Sequence, residues 1–167
     1  RLSGMAVADI IRAGGGRYTV DGGAGGDRLY GGDGDDRIIG GGGGDQLTGN
    51  SGNDAFVYLA DDVMATGDAL TAADWLMDFL PRAAVPVEHD HIDLRSIDAI
   101  AGGANDAFVF IGQAAFSAAG QVRAWFDGTN TIIEANTIDD AGGHVELAII
   151  LAGINAAGTL TAMDFVL

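Results

Sequence analysis

The chain has 167 residues, 28 of them Gly, with no Cys and no Lys, and 24 Asp and Glu against eight Arg leave a net charge of -16. That length fits one domain, and 48 % apolar residues suffice for a core. The balance excludes nucleic acid as a partner, because nothing offsets phosphate repulsion, and the lack of Cys excludes disulfides and thiolate metal sites.

The chain opens at Arg1 without a readable leader, which predicts a piece of a longer polypeptide. Residues 22–57 are periodic in nines: GGAGGDRLY, GGDGDDRII, GGGGGDQLT, GNSGNDAFV. Position 1 is always Gly (Gly22, Gly31, Gly40, Gly49) and position 6 always Asp (Asp27, Asp36, Asp45, Asp54). Position 8 is always large and apolar: Leu29, Ile38, Leu47 and Phe56. Upstream, residues 4–21 are two worn copies. Gly4, Asp9 and Ile11 keep the phase of the first, while the second keeps Val20 but has Tyr18 in place of Asp. A period this short predicts a solenoid.

Each nine reads as a six-residue loop and a three-residue strand. Glycine lets the loop reach positive φ and brings carbonyl oxygens together. Position 8 points inward, and positions 7 and 9 point outward. Two nines make one coil, so Leu29 and Leu47 line one wall and Ile38 and Phe56 the other. Residues 18 apart then stack roughly 4.8 Å apart, placing Asp27 over Asp45 and Asp36 over Asp54. Stacked carboxylates call for a cation between them. The ligands on offer are carboxylate and carbonyl oxygens, which select Ca²⁺ over Zn²⁺ or Cu²⁺ and suit it better than Mg²⁺. A flexible linker would have no reason to keep an apolar residue in phase with the Asp.

The pattern GGxGxDxUx resembles the RTX (hemolysin-type) nonapeptide of calcium-binding, type I-secreted bacterial proteins. The resemblance implies an all-β fold built on a right-handed parallel β-roll. It also implies ions shared between positions 1, 3 and 6 of one loop and positions 2, 4 and 6 of the next loop on the same side. One site is then Gly22, Ala24 and Asp27 with Gly41, Gly43 and Asp45; a second is Gly31, Asp33 and Asp36 with Asn50, Gly52 and Asp54. A third, Gly4, Ala6 and Asp9 with Gly23, Gly25 and Asp27, rests on a worn repeat. Where Tyr18 faces Asp36 the site is expected to be weak.

Past Val57 the period stops. A helix or turn is expected from Thr71 to Phe79, with Asp61, Asp62 and Asp68 capping the roll. The runs DWLMDF and DHIDLRSID resemble the C-terminal domain of serralysin-type proteins, as do Phe108 to Gly112 and Ala115 to Ser117. From Ala107 onward, AFVFIG, QVRAWFDG, TIIEANTI and VELAIILAG read as antiparallel strands forming a sandwich or jelly-like portion against the roll. The expected division is a roll over 1–60 and a C-terminal β region over 61–167.

His89, His91 and Asp93 would share one face if extended, a spacing that suits a transition metal, but the resemblance places them in a connector and strand without one. His144-Val145-Glu146 lacks the helical spacing of a zinc protease, and no nucleophile–base constellation is present. The segment is therefore expected to carry no catalysis, although a parent protein could be a protease or other hydrolase. Leu147 to Met163 is short for a bilayer and broken by Gly153, Asn155 and Gly158, so no membrane insertion is expected.

The chain closes on Asp164-Phe165-Val166-Leu167, an acid and three large apolar residues. This ending resembles the uncleaved signal read by a type I ABC exporter. The expectation is a calcium-dependent folding and secretion module, extracellular, attached to an upstream effector domain. The alternative is a calcium-stabilised polysaccharide-binding module, which at this charge needs Arg12, Arg17, Arg28 and Arg37 to cluster.

Overall fold

The computed structural model describes residues 1–62, 72–82, 88–100, 106–137 and 145–167. Strands alternate between two sheets, as a two-nonapeptide coil requires. One sheet runs β1 (Leu2–Ser3), β3 (Thr19–Ala24), β5 (Arg37–Gly42), β7 (Ala55–Leu59), β9 (His91–Ser96), β14 (Phe165–Val166). The other starts with β2 (Ile10–Gly15), β4 (Arg28–Asp33), β6 (Gln46–Ser51) and β8 (Asp74–Leu76). It continues through β13 (Leu147–Leu151), β12 (Thr131–Asn136), β11 (Gln121–Phe126) and β10 (Val109–Phe110). The fold is all-β and its first half is a parallel β-roll.

The register is the one the period dictates. Ile11 pairs with Leu29 and Leu29 with Leu47; Val20 pairs with Ile38 and Ile38 with Phe56. Val20, Leu29, Ile38 and Phe56 are fully buried, so the inward column forms the core of the roll. Full burial of such a side chain contributes about 1.5–3 kcal/mol, one contribution from each strand of the stack.

The strands are longer than the three residues expected. Five of the repeat strands, such as Arg28–Asp33, run six residues, from position 7 into position 3 of the next nine. The glycine carbonyls and amides at positions 2 and 3 keep pairing with the neighbouring coil, while position 1 drops out of the pairing (Tyr30↔Thr48, then Gly32↔Asn50).

Beyond residue 57 three expectations are corrected. Asp74–Leu76 is a strand, not a helix or turn: Leu76 pairs with Leu47 and enters the core as another position-8 residue. Val109–Phe110 runs parallel to β11, not antiparallel. The strand β13 is antiparallel to β12 as expected but parallel to β8, so the C-terminal strands extend a sheet of the roll. Asp68 lies outside the described residues; Asp62 accepts the Leu59 amide (2.5 Å) in the 3-10 turn that ends β7. One apolar cluster contains Leu29 and Phe56 of the roll and Val122, Ile133 and Ile149 of the later strands.

Candidate metal centre

The position-6 carboxylates of the four regular repeats share one two-sided environment. One oxygen joins a ladder up the stack. Asp27 Oδ1 accepts the Asp9 amide (2.7 Å), and Asp45 Oδ1 accepts the Asp27 amide (2.7 Å). On the other side Asp36 Oδ1 accepts the Tyr18 amide (2.7 Å), and Asp54 Oδ1 accepts the Asp36 amide (2.8 Å). The second oxygen has no hydrogen-bond partner in Asp27, Asp36, Asp45 or Asp54, and all four are buried. Burial of a charged oxygen without a partner is costly.

The glycines follow from that oxygen and from the neighbouring coil. A Cβ on Gly22 would fall on Asp27 Oδ2 and within 2.6 Å of the Gly40 carbonyl oxygen; on Gly31 it would lie 2.5 Å from Asp36 Oδ2. At Gly41, where φ is 93°, a Cβ would collide with the Gly23 carbonyl. Asn50 is the exception at the corresponding position, with φ of 70°, which Asn tolerates better than most residues.

The stack brings the predicted residues together. For the first site, register pairs Gly23 with Gly41, placing Gly22, Ala24 and Asp27 beside Gly41, Gly43 and Asp45. For the second, Gly32 pairs with Asn50 and Asp33 with Ser51, so Gly31, Asp33 and Asp36 adjoin Asn50, Gly52 and Asp54. For the third, the Ala24 amide donates to the Met5 carbonyl (3.0 Å), setting Gly4, Ala6 and Asp9 against Gly23, Gly25 and Asp27. Tyr18 occupies its rung through its backbone, its amide donating to Asp36 Oδ1 and its carbonyl accepting the Arg37 amide (2.9 Å).

The pKa directions are those of anions denied water. Burial is the leading cause that raises Asp36 and pushes Asp45 and Asp54 up to about 6; the charge of the adjacent Asp35 adds to Asp36, and the carboxylates below in the stack, Asp27 and Asp36, add to Asp45 and Asp54. Oxygen-only donors and uncompensated buried charge fit a hard divalent cation such as Ca²⁺. With Ca²⁺ in place, the Asp carboxylates and loop carbonyls would hold it, and the ion would supply the positive charge that the buried oxygens lack.

Two ladder residues escaped the periodic reading. Asp74 Oδ1 accepts the Asp45 amide (2.8 Å), 29 residues away, and Asp90 Oδ1 accepts the Asp54 amide (3.0 Å), 36 residues away. Each takes the next rung. Asp90 Oδ2 also accepts the Leu80 amide (2.9 Å), and the Asp78 carboxylate accepts the amides of Gly49 (2.9 Å) and Asn50 (2.8 Å). Burial, more than neighbouring charge, drives Asp74 well above the ordinary range and Asp90 to about 7. The signal for both was a triplet that keeps positions 6 to 8: Asp74-Trp75-Leu76 and Asp90-His91-Ile92.

The His89–Asp93 motif is otherwise engaged. Asp93 pairs with Arg95 (2.8 Å) and Arg37 (3.5 Å), while His89 Nε2 lies 3.4 Å from the Arg82 guanidinium. Among the described residues no group of three or more His, Cys, Asp or Glu side chains could hold a metal ion by itself. The repeat centres rely on backbone carbonyls instead.

Residues 21–56 match the family described as RTX calcium-binding nonapeptide repeat (4 copies). No curated protein matches the chain. Among solved structures, the chain resembles the solution structure of the AlgE6R3 subunit of the Azotobacter vinelandii mannuronan C5-epimerase. That match has 27 % identity and a TM-score of 0.58, and covers 96 % of this chain and 78 % of that one. The AlgE6R2 subunit of the same epimerase resembles it in fold, at 24 % identity and a TM-score of 0.59, covering 99 % of this chain and 91 % of that one. The ladder geometry and the family match agree: residues 21–56 are an array of RTX calcium-binding nonapeptide repeats, folded as part of a parallel β-roll.

Proposed function

We propose that the chain is a calcium-dependent folding and type I secretion module of a larger extracellular bacterial protein. The observation that supports it best is the set of four buried carboxylate oxygens without partners, one per good repeat. Extracellular calcium modules bind with Kd of about 10⁻⁴–10⁻³ M. At tenfold excess over Kd each ion stabilises the fold by about 1.4 kcal/mol, and three by about 4 kcal/mol. In a cytosol far below Kd that stabilisation vanishes. A swing of this size is a large part of a domain's stability, so the chain stays open inside the cell and folds outside.

In this reading Asp164, Phe165, Val166 and Leu167 are what the exporter reads, the upstream part of the polypeptide is the effector, and this segment performs no catalysis. Among the described residues no helix is long and apolar enough to cross a membrane. Far-UV circular dichroism in EGTA and then in calcium tests the folding half: β content that is unchanged by chelation overturns it. A reporter fused upstream and expressed with a type I exporter tests the export half, which fails if deleting residues 164–167 leaves secretion intact.

A second reading, a calcium-stabilised polysaccharide-binding module, is favoured by one surface. Arg12 stacks on the Tyr30 ring (4.6 Å) beside Arg28 on the outer face of the β2–β4–β6 sheet, next to a groove lined by Asp33, Asn50 and Ser51. The AlgE6R3 structure, 27 % identical to this chain, is of a subunit of a mannuronan epimerase. Against it, Arg37 leaves from the opposite sheet, so the arginines divide between two faces. Calorimetric titration of the calcium-loaded module with uronate oligomers decides this reading, and absence of heat rejects it.

A further inference from the structure

Outside the ladder, basic side chains collect on the outer face of β5, β7 and β9. Ile92 lies in the core, so His91 and Asp93 on either side of it point outward. Register aligns Arg37, Ala55 and His91 across the three strands. Ala55 offers only a methyl, and Arg37 crosses β7 to bring Nη1 to 3.5 Å from Asp93 Oδ2. Arg95 holds the same carboxylate, with Nη2 2.8 Å from Oδ2 and Nε 3.0 Å from Oδ1. Pairing shifts by one residue between Val57↔Asp93 and Leu59↔Ser96, and this bulge aims Arg95 back at Asp93.

Two guanidiniums thus share one buried carboxylate. Their side chains are 40 % (Arg37) and 61 % (Arg95) exposed, so the N–H groups not used on Asp93 remain open to water. His91, half-buried beside them, has Arg37, Arg95 and His89 as cationic neighbours and Asp93 as the opposing charge. Burial lowers its pKa and leaves a neutral ring with an N–H to donate. Of the nearest acids in the chain, Asp90 is turned into the ladder and Glu88 is exposed. We propose that Arg37, His91 and Arg95 form a binding site for one tetrahedral oxyanion of the sulfate or phosphate class. It lies on the opposite sheet from the Arg12–Tyr30 groove. Asp93 is its positioning residue, because it fixes both guanidiniums before the anion arrives. Guanidinium forks present paired N–H groups that match such oxygens, and three donors reached from two strands suit an anion with oxygens on several sides. Screening over about 8 Å at physiological ionic strength lets this local excess of positive charge act within a chain of net charge -16. A single oxyanion, unlike a nucleic acid, meets only that local charge.

Inorganic sulfate, which stays dissolved beside millimolar calcium, is the probe, titrated into the calcium-loaded chain at constant ionic strength. In a histidine-labelled chain the ring signals of His91 are expected to shift and saturate with sulfate and not with chloride. Arg37→Gln and Arg95→Gln are each expected to weaken sulfate binding by about tenfold or more, and Arg12→Gln, on the other sheet, to leave it unchanged. Methyl sulfate separates the two sources of this chemistry: a free ion if sulfate alone binds, an ester carried by a larger molecule if both do. His91 signals that do not saturate overturn the proposal, and so does equal sulfate affinity in the parent and both arginine variants. Native circular dichroism in calcium is required of each variant, and if one fails to fold the other decides. Variants that lose stability in urea, while sulfate leaves the His91 signals of the parent unmoved, would make the cluster a structural ion-pair network only and overturn the site.

Discussion

The repeat half and the C-terminal half share two sheets and one core, yet they are specified in different ways. From Gly22 to Val57 each slot is set by the period: glycine where a carboxylate or a neighbouring carbonyl presses, Asp at the rung, an apolar residue inside. After residue 57 only the rung and the inward residue persist, as Asp74 with Leu76 and Asp90 with Ile92. The glycines and the 18-residue step are gone, but the stack continues. What a new strand needs in order to join the roll is therefore small: a carboxylate that accepts the amide of the preceding rung and a side chain that fills the core. The glycine loops serve the ion.

The largest effect expected is that of chelation, and it tests whether the halves are separable. Because the sheets are continuous, EGTA should open both together. Both tryptophans, Trp75 and Trp125, lie in the C-terminal half, so their fluorescence should change at the same calcium concentration as far-UV circular dichroism. Two separate transitions would mean that the C-terminal strands form their own unit.

Next in size are cavities in the shared core. Leu47→Ala in the roll and Ile149→Ala in β13, both essentially buried, should each cost about 2–5 kcal/mol in calcium. Urea unfolding checks this, and a cost under 1 kcal/mol for Ile149→Ala would place that strand outside the cooperative core.

Protonation gives a third test. Asp45 and Asp54 have folded pKa values raised to about 6 from 3.8, so the calcium-free fold binds more protons than the open chain between those values. Its stability should therefore be greatest near pH 4 and fall as pH rises through 6, while calcium affinity should weaken as pH drops below 6. A calcium-free chain whose β content rises from pH 4 to pH 7 would contradict the uncompensated burial of these groups.

The smallest effect separates glycines that serve the ion from those that do not. Gly22→Ala places a methyl on the Asp27 carboxylate and should weaken calcium binding, whereas Gly42 has open space around it and its φ is not positive. Gly42→Ala should leave calcium affinity unchanged and alter stability by no more than about 1 kcal/mol. Equal loss of affinity in the two variants would remove the distinction.

The roll was legible because a nine-residue period carries its own register: once Leu29 is inward, Leu47 must be. The juxtaposition of the residues expected to form the first two centres follows from the same arithmetic. Asp74 and Asp90 were not reached, because insertions lengthen the steps to 29 and 36 residues and no local pattern states which rung a lone Asp-x-apolar triplet will join. Strand direction was also hidden where it depends on partners distant in the chain: alternating apolar residues fit β10 equally well parallel or antiparallel to β11. The helix or turn expected from Thr71 to Phe79 lost to core filling by Leu76.

The chain's last residues are not a free tail. Phe165 pairs with Ile92 and Val166 with Asp93 at the edge of a sheet, and Phe165 packs against the Phe110 ring at 4.9 Å between centroids. Asp164 is fully buried, accepting the Arg82 amide (2.7 Å) and the amide and hydroxyl of Thr161 (2.7 and 3.0 Å). A residue committed to a ladder cannot at the same moment be gripped as a linear peptide. Any receptor for this terminus thus competes with β14, and each step that closes the sheet withdraws the handle by which the chain could be drawn backward.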